Sequence, residues 1–245
     1  MNWLKKLAIL ASFSFFLSCG IQEYYYLPQV PESYITSSLT DSATIILPRI
    51  PQEYYYATNY SIYYRIYISG ESVTSIQTSN LSVINPELSR DYNSLSRYTD
   101  PTGTSVTTLN TFDNLKYYEI ELDGEDIENI FTKDGGTLRI LFQTISGSYP
   151  SVTLDEGDEI RLLRSGQLTS PLPPGDLFFR NTPELNDSAN ATAENNADVS
   201  GRTEITQRYA YVSMYIVARG YNNEIFSQIF GKPTHIHIFR LPEMN

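Results

Sequence analysis

Residues 59–69 alternate without a break. Tyr60, Ile62, Tyr64, Ile66 and Ile68 occupy one parity; Ser61, Tyr63, Arg65 and Tyr67 occupy the other. Side chains of a strand point to opposite faces in turn, so this pattern predicts a β-strand with an aliphatic-rich face and a polar-aromatic one. A second run, 209–218, has the same design, with Val212, Met214, Ile216 and Ala218 on one parity and Tyr211, Ser213 and Tyr215 on the other. Chains of this kind must pair their strands and cover at least one face. Further strand candidates are 43–47, 105–109, 115–122, 137–145, 159–164, 225–230 and 234–241. Turn chemistry separates several of them: Asp123-Gly124, Asp134-Gly135-Gly136 and Glu156-Gly157-Asp158. One helix is predicted, with Asn85 as cap, Pro86 in the first turn and Leu88, Tyr92 and Leu95 as its stripe. Many short strands with such turns predict a β-sandwich.

Twenty of the 245 residues are tyrosine, a residue that suits strands and half-wet faces because its ring is apolar and its hydroxyl wants a partner. Twenty-eight acidic residues stand against 17 basic ones, a surface that repels nucleic acid and anionic headgroups. Nucleic acid is therefore not an expected partner.

The first twenty residues differ in kind. Lys5 and Lys6 precede an apolar run, 7–17, which ends in Ser18-Cys19-Gly20; Cys19 is the only cysteine. The run is too short to span a bilayer as a stable helix. The segment resembles the signal peptide of bacterial lipoproteins, with Phe16 where that family usually has an aliphatic residue. The resemblance implies removal of residues 1–18, lipid on Cys19, and an envelope location, at an outer membrane or cell surface. The membrane is then a partner through that lipid. The mature chain would carry 227 residues and a formal charge of −13, and would form no disulfide.

Residues 19–33 read as the lipidated end and a tether, and 34–245 as the β-sandwich. Leu-Pro-Gln-Val-Pro-Glu-Ser-Tyr (27–34) has a near copy, Leu-Pro-Arg-Ile-Pro-Gln-Glu-Tyr (47–54); two prolines at this spacing suit an extended edge or polyproline segment. Residues 183–203 are polar and small, and read as a disordered surface loop. Within the sandwich, Tyr63-Tyr64-Arg65-Ile66-Tyr67 resembles the third strand of a fibronectin type III or immunoglobulin-like domain. Val212, Met214, Ile216 and Ala218 resemble its sixth strand, and 225–241 its broken last strand. The implied fold is all-β, an immunoglobulin/fibronectin-III-like sandwich with large insertions and one short helix.

Little in the chain points to catalysis. His235 and His237 would share a strand face, a spacing metals use, but a catalytic zinc needs a third ligand that no further histidine or free cysteine supplies. The acidic groups 123–128 and 155–159 lack calcium-loop spacing. No catalytic residue, metal site or cofactor is expected. If 60–68, 209–218 and 234–240 are neighbours in one sheet, their outward faces combine Tyr63, Arg65, Tyr67, Tyr209, Tyr211, Ser213, Tyr215, His235, His237 and Phe239. Such a face suits a protein or glycan ligand; the alternative is that residues 70–207 cover it as a second core. The expectation is a binding or adhesion-type envelope lipoprotein without catalysis. The alternatives are a carbohydrate-binding module, a hydrolase with an unrecognised site, and a purely structural envelope protein.

Overall fold

The structure is a computed structural model that describes residues 27–38, 41–54, 56–70, 73, 80–96, 117–125, 127–142, 149–165, 178–181, 185, 198–200, 209–223 and 227–242. Cys19 and the expected strand at 105–109 lie outside the described residues.

The alternating run at 59–69 becomes β3 (Ala57–Ser69), and the second becomes β10 (Tyr209–Asn222). They pair antiparallel from Asn59↔Arg219 to Ser69↔Tyr209. On the other side of β10 lie β11 (Ser227–Phe230) and β12 (Thr234–Arg240). The three runs expected to be neighbours are therefore neighbours. The far edge of β3 is shared by two short strands, β4 (Tyr118–Glu119), antiparallel, and β9 (Val199–Ser200), parallel. The second sheet has the order β1-β2-β6-β7-β8-β5 and is antiparallel throughout. Its strands are β1 (Ile35–Ser38), β2 (Ser42–Leu47), β5 (Glu121–Leu122), β6 (Gly136–Leu141), β7 (Ser151–Leu154) and β8 (Glu159–Leu163).

The sheets face one another across an apolar core. Ile45, Leu47, Leu138, Ile140, Val152 and Leu162 of one sheet meet Ile62, Tyr64, Ile66, Val212, Met214 and Ile216 of the other. The fold is all-β and sandwich-like, as expected. The chain crosses between the sheets on both flanks. On one, β4 leads through Ile120 into β5. On the other, residues 27–34 run from the β11–β12 junction to β1, and β12 packs against β1 and β2.

That second crossing corrects the expected tether. Leu27 and Val30 are fully buried in the core, so the body begins at or before Leu27 rather than at Tyr34. The near copy at 47–54 makes the same turn: Tyr34 N donates to Pro31 O and Tyr54 N to Pro51 O, both at 3.0 Å. In each copy the leucine and the Val or Ile are buried and the prolines shape a crossover between sheets. Gly135, with φ +86°, fits beside the second copy, where a Cβ would stand 2.8 Å from Leu47 O.

The predicted disordered loop needs a correction too. Leu185 is buried, and Asp198 and β9 are built into the fold. The rest of 183–203 lies outside the described residues.

The predicted helix is α2 (Pro86–Ser96), preceded by α1 (Leu81–Ile84); a third short helix, α3, spans Ile127–Ile130. Asn85 caps α2 as expected, its Oδ1 accepting from Glu87 N at 2.7 Å and Leu88 N at 3.4 Å. Its Nδ2 donates to Ile68 O at 2.9 Å, which ties the helix start to β3. Asn85→Ala removes the cap and the tie together. It is expected to cost about 1–2 kcal/mol, read as a shifted denaturant midpoint at constant slope.

Candidate functional site

Register puts the aromatic residues in rows. Tyr67 pairs with Tyr211, Arg65 with Ser213, and Tyr63 with Tyr215. One polar-aromatic face is thus assembled on β3 and β10 as the alternation required. On β12 the pattern breaks. A bulge shifts the register between Tyr215↔His235 and Met214↔His237. One extra residue turns every following side chain to the opposite face. His235 stays with Tyr215, their rings 5.0 Å apart. His237 and Phe239 turn toward the core between the sheets, where Phe239 stacks on Phe142 at 4.4 Å. Ile238 takes their expected place and joins Tyr67 and Tyr211. The two histidines therefore do not share a face. Among the described residues no group of three or more His, Cys, Asp or Glu is set to hold a metal.

The face is covered. Helices α1 and α2 lie on it, and Leu81, Ile84 and Leu88 pack on Tyr67, Tyr211 and Ile238. Leu95 and Tyr117 close over Tyr215 and Val217. Tyr67, Tyr211, Tyr215 and Phe239 have at most 1% exposure, and Arg65 and His237 are buried; Tyr63, Tyr209 and His235 are partly exposed. Tyr209 carries the Arg240 guanidinium 4.7 Å above its ring. The long insertion thus supplies a second core, whose floor is the tyrosine face.

Polar groups within that core pin the helix. Tyr67 OH donates to Asp91 Oδ2 at 2.8 Å and lies 3.0 Å from Tyr117 OH. Asp91 Oδ1 accepts from Arg90 Nε and Nη2 at 3.1 and 3.0 Å. Arg65 Nε stands 3.9 Å from Asp91 Oδ2, and Arg65 Nη2 donates to Ser200 Oγ at 2.5 Å. Ser200 in turn donates to Glu87 Oε2. Tyr211 OH accepts from Val73 N at 2.8 Å. Asp91 went unnoticed in the sequence, yet the signal is there. Leu88, Asp91, Tyr92 and Leu95 fall at i, i+3, i+4 and i+7, so the carboxylate sits in the middle of the apolar stripe.

A second buried cluster lies on the opposite side of β3. Arg164 grips Asp198 bidentately, Nε to Oδ2 at 2.8 Å and Nη2 to Oδ1 at 2.6 Å. Tyr64 OH donates to the same Oδ2 at 2.7 Å. Burial works to raise the Asp198 carboxyl, but the Arg164 charge and the hydrogen bonds from Arg164 and Tyr64 outweigh it and hold the group below its usual range. His235 keeps some exposed surface, but its ring is enclosed between Tyr92 and Tyr215, with centroids 5.1 and 5.0 Å away. This burial, with His237 adding, lowers it to about 3, so the ring is neutral at pH 7.

These arrangements fasten elements together. Asp91 and Asp198 are both engaged by arginine and tyrosine. In the acidic group 155–159, Asp155 Oδ1 accepts from Thr137 N at 2.8 Å and Glu159 accepts from Ser151. Comparison of the chain with family models, curated proteins and solved structures found no match.

Proposed function

We propose that the chain is a lipid-anchored envelope protein whose immunoglobulin-like sandwich has a structural or partner-binding role and no catalytic one. The observation that carries this reading is the basic head, short apolar run and Ser-Cys-Gly end of residues 1–20, closing on the single cysteine. A lone exported cysteine is otherwise a reactive liability. Burial of Tyr67, Tyr211 and Tyr215 weighs against a glycan platform on the sheet and toward the structural form of the reading, with any protein partner met elsewhere on the surface. Against a hydrolase stands the use of Asp91 and Asp198, the buried carboxylates among the described residues, each committed to arginine and tyrosine.

Lipid on Cys19 is tested by fractionation and acyl labelling of the full chain expressed in a bacterium. The wild type is expected in the membrane fraction with label; Cys19→Ser is expected in the soluble fraction without it. Membrane partition unchanged in Cys19→Ser would overturn the lipoprotein reading.

A further inference from the structure

The lipid anchor, if it is on Cys19, reaches the folded body at a fixed place. The body is already closed at Leu27, whose side chain is buried. The segment after it is clamped to the β11–β12 junction. Gln29 Nε2 donates to Thr234 Oγ1 at 3.0 Å and to Pro233 O at 3.4 Å, and Thr234 Oγ1 donates to Val30 O at 2.6 Å. The backbones approach closely there. A Cβ on Gly231 would stand 3.1 Å from both Leu27 O and Pro28 O, so glycine is what lets the segment lie down.

Eight peptide units separate the Cα of Cys19 from that of Leu27. Fully extended they span at most about 28 Å. Across the strands, the direction that separates the two flanks, five spacings of about 4.8 Å put β1 roughly 24 Å from β5. Side chains add to that, so the attached flank could be the upper one only with the connection drawn straight. The strap is bonded to the β11–β12 junction, whose Gly231 N donates to Ala218 O and whose Thr234 pairs with Ile216 of β10, so the attachment is on the flank rather than at the far tip of the sheet. A body that cannot enter the bilayer, held within this reach by one flank, keeps that flank lower than the other.

We propose that the flank built by β1, β11, β12 and the 27–34 strap is the membrane-facing surface of the protein, and that the flank carrying β4 and β5 points away from the bilayer. The proposal rests on the lipid-anchor reading. The partner is the bilayer interface itself. With a formal charge of −13 on the mature chain, anionic headgroups are not what holds the flank down; the short connection does. The chemistry of the connecting sequence agrees, since Tyr24, Tyr25 and Tyr26 precede Leu27 and tyrosine favours the membrane–water interface.

The test uses the full-length lipidated protein in phosphatidylcholine vesicles. Lipidation caps the sulfur of Cys19, so a single added cysteine can carry a donor dye. Thr36→Cys and Gln228→Cys place it on exposed positions of the near flank; Glu121→Cys and Asp123→Cys place it on exposed positions of the far one. Energy transfer to an acceptor on the lipid headgroup is expected to be strong for the first pair and weak for the second. Insertion of about thirty Gly/Ser residues between Tyr26 and Leu27 frees the body from the short reach and is expected to abolish the difference. Equal transfer from all four positions in vesicle-bound protein would overturn the orientation. Failure to float with the vesicles at all, or dye reacting at Cys19 in the parent chain, would instead overturn the anchor on which it rests.

Discussion

Asp198→Ala is expected to be the most damaging single substitution on the Arg164 side of β3. It leaves the Arg164 guanidinium, 4% exposed, in the interior without its carboxylate. It also takes the acceptor from Tyr64 OH. Breaking one side of a buried pair costs about 3–5 kcal/mol, because the remaining charge is uncompensated. For a chain of this size that corresponds to a fall of roughly 10 °C or more in the melting midpoint. The double variant Asp198→Leu with Arg164→Met removes both charges and is expected to recover much of the loss, since an apolar pair of similar volume often replaces a buried ion pair without penalty. A midpoint unchanged in Asp198→Ala would mean that the pair is solvated. Acid should reveal His235 and then Asp198 in sequence. The folded His235 value lies below the ordinary 6.5, so the unfolded chain binds the extra proton and stability falls as pH drops below 6.5. The folded Asp198 value lies below the ordinary 3.8, so the stability from its pair persists above that pH and is lost only as pH falls further, through the folded value. Melting midpoints across pH 8 to 2 in wild type and His235→Phe separate the first stage from the second.

The elements legible in the sequence are those with local signals. Period two in 59–69 and 209–218 named β3 and β10, and Asn85-Pro86 named the start of α2, because side-chain alternation and capping are set by near neighbours. β7 (Ser151–Leu154) and β1 (Ile35–Ser38) carry too few large apolar residues to show a period. The bulge on β12 could not be read from Thr-His-Ile-His-Ile-Phe, whose alternation is unbroken; it follows from how β12 meets β10, and it alone moved His237 and Phe239 to the other face. Asp198 is the sharpest case. It closes a run of small polar residues that reads as loop, and its partners Arg164 and Tyr64 lie 34 and 134 residues away. Nothing local marks a loop residue that will be buried by a distant guanidinium. The strap shows the reverse error: two prolines suggested a free tether, while Leu27 and Val30 were the informative residues, each an apolar side chain that the core takes up.

The tyrosine face supplies the second large effect, since it distinguishes a surface from a core by one pair of variants. Ile216 points into the core between the sheets with no exposed area, and Ile216→Ala is expected to cost about 2–5 kcal/mol through lost contacts and the cavity left behind. Tyr211 projects from the opposite face of the same strand, and an open surface there would make Tyr211→Ser nearly silent. Its ring is instead enclosed by Leu81, Ile84, Leu88 and Ile238, and its hydroxyl accepts from Val73 N. Removing the ring empties a volume that α1 and α2 cannot fill without leaving their tie at Asn85 and the Asp91 bond to Tyr67. The Val73 amide also loses its acceptor. Tyr211→Ser is therefore expected to destabilise by about 3–5 kcal/mol, as large as the Ile216 truncation. Tyr211→Phe, which keeps the ring and deletes only the hydroxyl, should cost about 1–2 kcal/mol. Paired denaturant melts of the three variants measure this directly. Losses for Tyr211→Ser that match those of Ile216→Ala would place both faces of β10 in packed cores, and would remove the tyrosine rows from consideration as a ligand surface. A Tyr211→Ser protein as stable as wild type would mean that α1 and α2 leave the sheet in solution, and would restore the aromatic face as a binding site.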